Sequence, residues 1–179
     1  MRIYFIFLYS FLYILLKRIV FCQKISGSLL QRISPRTSLK LFGSAKVELG
    51  RNIQIESMCD VQVHGNGILQ IGDLSYFNHF CMISCHDRIE IGDNCMFGPG
   101  VRIFDNNHRF ARNLGVSSKL STAPITIGNN CWVASNVIIL KGVTIGDNCV
   151  IGAGCIICQN IPANSLVRGN NNLLIEELK

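Results

Sequence analysis

Charged residues are scarce in this chain, and acidic residues are missing from its first 47 positions. Of the 179 residues, 16% are charged and 49% are apolar, which excludes an intrinsically disordered chain, because such chains are polar or highly charged. The length predicts a single domain. The formal net charge is +6, but eight basic residues lie before Glu48, and the remainder carries nine basic and eleven acidic residues. Because a nucleic-acid-binding domain carries its basic surface on the folded body, we expect no nucleic acid partner.

The sequence also lacks a small-residue cleavage site of the kind that ends a secretory signal. Its N-terminal apolar run, Ile3 to Leu16, has 14 residues and is followed by Lys17 and Arg18, whereas a membrane-spanning helix needs about 20. We therefore predict a basic, apolar helix within residues 1–46. Its first 22 residues are expected to contact the inner face of the cell membrane, which makes the protein cytoplasmic and peripheral. Spanning the membrane, or packing on the body or on a partner subunit, stays open.

The nine cysteines have no obvious disulfide or metal pattern. An odd number is a poor disulfide framework in a chain of this length, and so many free thiols indicate a reducing compartment. Cys155 and Cys158 have the spacing of half a zinc site, but no second half pairs with them.

A six-residue repeat organises the body of the chain. Short Ile-Gly-Asp and Ile-Gly-Asn fragments recur, and Ile127 and Ile145 lie 18 residues apart. Stepping by six from these fragments gives fifteen positions, all apolar: Leu49, Ile55, Val61, Ile71, Phe77, Ile83, Ile91, Phe97, Ile103, Ile127, Val133, Ile139, Ile145, Ile151 and Ile157. This period is neither the 3.6 of a helix nor simple alternation.

A six-residue period with β-branched residues in one slot predicts short strands joined by turns, three strands to a coil. Each coil buries its apolar face only by stacking on the next. We predict an all-β chain with about five parallel coils over residues 49–162, in a domain of residues 47–169 that is followed by a short tail, 170–179. A β-sandwich is the alternative, but it predicts turns every 8–12 residues.

The repeat also accounts for most of the cysteines. Six of them lie four residues after a repeat position, in a slot that small residues otherwise fill, namely Cys59, Cys81, Cys95, Cys131, Cys149 and Cys155. A free cysteine packs there as a small hydrophobic residue. We therefore expect these six to be structural.

The repeat is interrupted most strongly at residues 109–126, a largely polar insertion that predicts a loop. His108 directly precedes this insertion. Long segments that leave a rigid scaffold often build functional sites, and an imidazole can act as a base near neutral pH. His108 is thus the candidate catalytic residue.

The repeats, with Ile145-Gly-Asp-Asn-Cys-Val-Ile-Gly-Ala-Gly as the clearest run, resemble the hexapeptide-repeat acyltransferases over about residues 45–170. This resemblance implies a left-handed parallel β-helix and a homotrimer with active sites between subunits. The stretch from Ile91 to His108 and the segment that ends at Trp132 are similar to the maltose and galactoside O-acetyltransferases. They are also similar to the acetyltransferases of capsule, exopolysaccharide and lipopolysaccharide synthesis.

The resemblance implies a function and a set of site residues. His108 would be the general base that activates a sugar hydroxyl for attack on acetyl-CoA, and no metal would be required. Asp105 or a backbone carbonyl would fix the tautomer of His108, and Asn78 would assist at the acceptor. The residues implied to contact acetyl-CoA are Trp132, Ala134, Ser135, Gly152 and Ala153. The acceptor would be a sugar of a surface polysaccharide, capsule or lipopolysaccharide precursor.

Three further functions of this fold stay open at the sequence level. A γ-class carbonic anhydrase would need three histidines that converge on zinc, and the spacing of His79, His86 and His108 does not match. A serine O-acetyltransferase-like enzyme on a small acceptor would share the fold and the co-substrate, and a non-catalytic structural subunit would share the fold alone.

The chain also lacks the basic residues that many relatives have near the CoA phosphates, so Arg168 or Lys141 would have to replace them.

Overall fold

The computed structural model describes residues 2–21, 24–111 and 115–169 and shows one helix followed by a parallel β-solenoid. Helix α1 covers Arg2–Val20. The strands of the described residues are β1 (Ile25–Gly27), β2 (Arg32–Ile33), β3 (Ser38–Leu41), β4 (Lys46–Leu49), β5 (Gln54–Ile55), β6 (Asp60–Val63), β7 (Ile68–Ile71), β8 (Tyr76–Phe77), β9 (Met82–Cys85), β10 (Arg88–Ile91), β11 (Met96–Phe97), β12 (Arg102–Phe104), β13 (Asn106–Ala111), β14 (Gly115–Thr122), β15 (Ile125–Ile127), β16 (Trp132–Val133), β17 (Ile138–Leu140), β18 (Thr144–Ile145), β19 (Val150–Ile151), β20 (Ile156–Ile157) and β21 (Leu166–Val167).

These strands form three parallel sheets, which are the three faces of a triangular prism. The first face has the order β1-β4-β7-β10-β15-β18, the second β2-β5-β8-β11-β16-β19-β21, and the third β3-β6-β9-β12-β17-β20. Each set of three consecutive strands is one coil, so the solenoid has six full coils and the start of another. The prediction of an all-β parallel solenoid is confirmed, with one coil more than expected.

The additional coil lies at the N-terminal end, inside the segment that we assigned to the basic helix. The helix ends at Val20, and β1 begins at Ile25. The repeat is hidden there because Gly27 occupies the slot of Leu49, its partner in the parallel register. A side chain does not fit at Gly27, since a Cβ atom would lie 1.8 Å from the carbonyl oxygen of Leu49. Ile33 and Leu39, six residues apart, continue the inner rows of Ile55 and Val61.

The core is the apolar interior that the repeat predicts. All fifteen repeat positions are buried, and so are the six cysteines of the small-residue slot. Cys85 is buried as well, and this burial, followed by the nearby Asp105 carboxylate, raises the pKa of its thiol. These cysteines act as packing residues in the core.

Asparagines in left-handed backbone conformations hold one edge of the prism. Asn94, Asn130, Asn148 and Asn164 follow one another on successive coils with φ between 54° and 61°. The side-chain amides of the first three each donate to the side-chain oxygen of the asparagine on the next coil, at 3.0 to 3.2 Å. Asparagine suits this edge because it tolerates the left-handed region and can form hydrogen bonds along the stack.

The insertion predicted at residues 109–126 is an antiparallel hairpin in the described residues. Strand β13 pairs with β14, Asn106 opposite Thr122 and His108 opposite Leu120, with an irregularity between His108 and Phe110. The hairpin begins at Asn106, separated by one residue from β12 of the third face, and the chain then returns to the first face at β15. It therefore projects from the edge of the prism that lies opposite the second face. The C-terminal tail predicted at 170–179 lies outside the described residues.

Candidate active site

Four of the residues implied by the resemblance line one cleft on the second face of the prism. This cleft has a volume of about 220 Å³, and it is lined by Tyr76, Asn78, Met96, Phe97, Gly98, Pro99, Trp132, Ala134 and Ser135. The parallel register sets Trp132 beside Met96, and Met96 beside Tyr76. The indole of Trp132 is half exposed, so the cleft presents an aromatic wall to solvent.

Close packing of two turns shapes this cleft. At Gly98, a Cβ atom would lie 2.7 Å from the backbone nitrogen of Ser135 and 2.9 Å from the carbonyl carbon of Ala134. Any side chain at Gly98 would therefore push these two turns apart. Sequence reasoning missed Met96, Gly98 and Pro99, although the register of the six-residue repeat places them beside residues that it singled out.

Gly152 and Ala153 lie one coil beyond Ala134 and Ser135 along the same edge. The backbone N–H of Ala134 donates to the carbonyl of Ile151 at 2.9 Å, and that of Gly154 donates to the carbonyl of Ser135 at 2.9 Å. Gly152 and Ala153 do not line the cleft itself. They extend its wall toward the C-terminal end of the solenoid.

Asn78 is positioned by hydrogen bonds of its own turn. Its backbone N–H donates to the carbonyl of Phe97 at 2.9 Å, and its side-chain oxygen accepts the N–H of His79 at 2.8 Å. Its carbonyl oxygen accepts the thiol of Cys59 at 3.1 Å. The side chain is thus held at the cleft by the fold, whatever occupies the cleft.

His108 lies on the hairpin, and its ring is exposed. Its Nδ1 lies 3.2 Å from the carbonyl oxygen of Ser117, which places a hydrogen on Nδ1 and leaves Nε2 as the basic nitrogen. Of the two partners expected for His108, the structure therefore shows the backbone carbonyl.

Asp105 has a different role from orienting His108. Its carboxylate is buried and accepts the backbone N–H groups of His86, at 2.8 and 2.9 Å, and Asp87, at 2.7 Å. The side-chain amide of Asn106 donates to it at 3.1 Å. Asp105 thus joins the turn after β9 to the first residue of the hairpin.

A second, open cleft surrounds His108. It has a volume of about 410 Å³ and is lined by Asn107, His108, Arg109, Phe110, Ser121 and Lys141. It shares no lining residue with the cleft of Asn78 and Trp132. A single chain therefore presents the candidate base and the candidate acceptor and CoA residues in separate places.

The other histidines do not gather around a metal position. His64 and His86 stack in parallel with ring centroids 4.4 Å apart, and His64 stacks on Phe42 at 4.5 Å. Among residues 2–21, 24–111 and 115–169, no group of three or more His, Cys, Asp or Glu side chains could hold a metal ion.

Comparison with known proteins identifies the repeats. The family model for bacterial transferase hexapeptides, of six repeats, matches residues 124–159. Galactoside O-acetyltransferase of Escherichia coli strain K12 is 39% identical over 101 residues, which are 56% of this chain and 50% of that enzyme. The chain thus spans half the length of this relative.

A second relative aligns over a larger share of its length. WcaF of Escherichia coli strain K12 is named as an inferred acetyltransferase of colanic acid biosynthesis. It is 30% identical to this chain over 139 residues, and the match covers 78% of this chain and 72% of WcaF. The fold is shared with a hexapeptide-repeat acetyltransferase of Vibrio cholerae O1 biovar eltor, solved with acetyl coenzyme A. That structure has a TM-score of 0.56 and 21% identity, and the match covers 93% of this chain and 76% of that one.

Proposed function

The chain belongs to the hexapeptide-repeat transferase family, and we propose that it transfers an acetyl group from acetyl-CoA to a hydroxyl group of a glycan. The observation that carries this proposal is the orientation of His108, whose Nδ1 faces the carbonyl of Ser117 and whose Nε2 is thereby left basic. The names of its relatives support acetyl transfer to galactosides and in a polysaccharide pathway. The proposed acceptor is a precursor of a surface polysaccharide, capsule or lipopolysaccharide.

In the proposed reaction, Nε2 of His108 takes the proton of the sugar hydroxyl as its oxygen attacks the thioester carbonyl. Backbone N–H groups near the cleft stabilise the oxyanion that forms. The C–S bond then breaks, and His108 returns the proton to the departing thiolate. The products are an acetyl ester on the sugar and free CoA.

The chemistry of the cleft of Asn78 and Trp132 suits the narrow pantetheine arm of the co-substrate. Acetyl-CoA supplies an activated acetyl group on a narrow pantetheine arm. The cleft has small residues along its edge and an exposed indole beside them, and the approach at Gly98 leaves no room for a side chain there. We propose that Trp132, Ala134, Ser135, Gly152 and Ala153 line the path of this arm.

The separation of the two clefts supports an active site built between subunits. His108 lies on the hairpin, at the prism edge opposite the face that carries Trp132. We propose a homotrimer in which the hairpin of one subunit reaches the second face of its neighbour. His108 of one chain would then act at the cleft of Asn78 and Trp132 of another.

Mixing two inactive variants tests the shared site. In the proposed trimer, His108→Ala and Asn78→Ala are each inactive, but an equal mixture refolded together should regain about one quarter of the activity, because some interfaces then combine both intact residues. Co-refolding each variant with itself is the control. A mixture as inactive as its components would overturn the shared site.

The reaction itself is tested with radiolabelled acetyl-CoA and glycans of the host membrane. We expect label in the glycan that is released by mild base, as an ester is, and about 100-fold less label, or lower still, after His108→Ala. Base-stable label would indicate an amide and overturn O-acetylation. Absence of label from every glycan pool, with a chain that binds acetyl-CoA, would overturn the glycan acceptor.

The proposal includes peripheral contact with the inner face of the cell membrane through residues 1–22. In the described part of the chain, no helix is long and apolar enough to cross a membrane. The contact brings the enzyme to glycan precursors that are held at that surface.

A further inference from the structure

Helix α1 lies across the N-terminal end of the solenoid and touches all three faces there. The hydroxyl of Ser10 accepts the N–H of Ile33 in β2 at 2.8 Å. The ammonium of Lys17 donates to the carbonyl of Leu39 in β3 at 3.1 Å, and the guanidinium of Arg18 donates to the carbonyl of Gly27 in β1. Because β1, β2 and β3 are the end strands of the three sheets, α1 covers edges that would otherwise present unpaired backbone groups.

Only one side of α1 is used in this contact. Ile14 and Ser10 are fully buried against the first coil. The opposite side carries apolar residues every four positions, all between 47% and 80% exposed, namely Tyr4, Leu8, Leu12, Leu16 and Val20. This spacing sets them along one face of the helix. The end of the solenoid thus presents an apolar stripe to its surroundings.

Basic residues are concentrated at this end of the solenoid. Lys24, Arg32, Arg36 and Lys40 lie in the first coil and the residues that flank it, Lys46 begins β4 of the second coil, and no acidic residue precedes Glu48. If a second copy docked end to end, the basic residues of the two copies would face one another, and like-charge repulsion would make this contact unfavourable. An anionic bilayer satisfies both features, since it buries the apolar stripe and attracts the basic side chains.

The geometry points to a solenoid that stands upright on an anionic bilayer, with the outer side of α1 in the lipid interface. Strand β2 lies in the first coil, and the cleft of Asn78 and Trp132 lies between the third and fifth coils. With about 4.8 Å between strands, the cleft stands roughly 10–19 Å above the first coil. We infer, building on the proposed acetyl transfer, that the acceptor is a lipid-linked glycan whose acetylated sugar is held away from the headgroups.

Vesicle binding tests the docking surface without any acceptor. The full-length chain should sediment with vesicles of phosphatidylcholine and phosphatidylglycerol (7:3) and far less with phosphatidylcholine alone. The double variant Leu8→Ser/Leu16→Ser should bind at least tenfold more weakly, because two exposed leucines leave the lipid interface. Leu74→Ser/Ile156→Ser is the matched control, since these residues are equally exposed on other parts of the solenoid. Equal loss in both variants, or binding indifferent to lipid charge, would overturn the docking surface.

The single tryptophan of the chain reports the orientation. Trp132 fluorescence should be unaffected by vesicles whose acyl chains carry bromine, because bromine quenches only at close range and the cleft stands above the headgroups. A tryptophan placed in the stripe by Leu12→Trp, in a Trp132→Phe background, should be quenched strongly. Quenching of native Trp132, or none at position 12, would overturn the upright orientation.

Activity separates this inference from the proposed function. If both hold, Leu8→Ser/Leu16→Ser retains wild-type acetylation of a soluble oligosaccharide released from the lipid, and loses at least tenfold in acetylation of the lipid-linked form in vesicles. Loss of both activities in a chain with an unchanged melting temperature would overturn the inference. A wild-type chain that binds vesicles upright but acetylates neither substrate would overturn the proposed function and leave the docking surface intact.

Discussion

The ring nitrogen Nδ1 of His108 lies 3.2 Å from the carbonyl oxygen of Ser117, so the two strands of the hairpin orient the imidazole themselves. Sequence neighbours suggested Asp105 for this task, but that carboxylate binds backbone N–H groups of the preceding turn. The orientation of the base thus depends on the pairing of β13 with β14. A substitution that shifts this pairing should therefore lower the catalytic rate before it measurably lowers the free energy of unfolding.

Replacing His108 should remove acetyl transfer and leave the fold unchanged. We expect His108→Ala to lower kcat/KM by roughly 10²–10⁴, the usual contribution of a general base, with a melting temperature within a degree of wild type because the ring is exposed. Lys119→Ala, on the exposed surface of the same hairpin, is the control. Turnover of His108→Ala near that of Lys119→Ala would remove the assigned role.

The buried carboxylate of Asp105 should matter for both stability and the placement of the hairpin. Asp105→Asn leaves an amide where an oxygen now accepts backbone N–H groups, so we expect a loss of about 1–3 kcal/mol in the free energy of unfolding. Urea denaturation measures it, with the exposed neighbour Asp87→Asn as the control. If both variants unfold at the same urea concentration, the network does not stabilise the fold.

Substitutions at the asparagine edge should separate the energetic cost of the left-handed backbone from that of the lost side-chain hydrogen bonds. At Asn130, φ is 56°, and its side chain is bonded to those of Asn94 and Asn148. Asn130→Ala should lose about 1–2 kcal/mol, because alanine resists the left-handed region. Asn130→Gly should lose less, since it adopts this φ without strain and forfeits only the side-chain bonds. Equal losses for alanine and glycine would show that the lost side-chain bonds dominate.

The stacked histidines should make stability depend on pH. Partial burial, and then the neighbouring His64, lower the pKa of His86. The unfolded chain therefore binds this proton more readily than the folded one. The stabilisation is fully present above the unfolded value of about 6.5 and is lost as pH falls through the lower folded value.

Replacing His86 by phenylalanine keeps the stack and removes the titrating group. We expect the urea midpoint of the wild type to fall more steeply between pH 7 and pH 5 than that of His86→Phe. His79→Phe, an exposed histidine, is the comparison. Identical slopes for wild type and His86→Phe would show that His86 does not contribute.

The two sides of α1 should respond differently to truncation. Ile14 is fully buried against the first coil, whereas Leu12 is about half exposed on the opposite side. We expect Ile14→Ala to lose about 2–4 kcal/mol in the free energy of unfolding and Leu12→Ala less than about 1 kcal/mol. Thermal and urea denaturation measure both, and equal losses would contradict the placement of α1 on the end of the solenoid.

Much of the solenoid could be predicted because its coils repeat. Every repeat position from Leu49 to Ile157 is buried, and the cysteine slot is confirmed, because both follow from a local six-residue period. The first coil could not be predicted from the six-residue period, because Gly27 replaces the apolar residue of the slot. The site was predictable only in part. The resemblance pointed to Asn78, Trp132 and His108, but Met96 and Gly98 join the cleft through contacts between coils.

The sequence by itself determined the period, the apolar core and the basic, apolar character of the N-terminal segment, because each of these depends on residue type and spacing along the chain. Only the tertiary structure decided that Ser117 orients His108 and that the hairpin and the Trp132 cleft lie apart. It also decided that α1 covers the solenoid with one side and leaves the other exposed. These relationships join residues from different structural elements, and the packing of those elements, which no local pattern encodes, sets their distances.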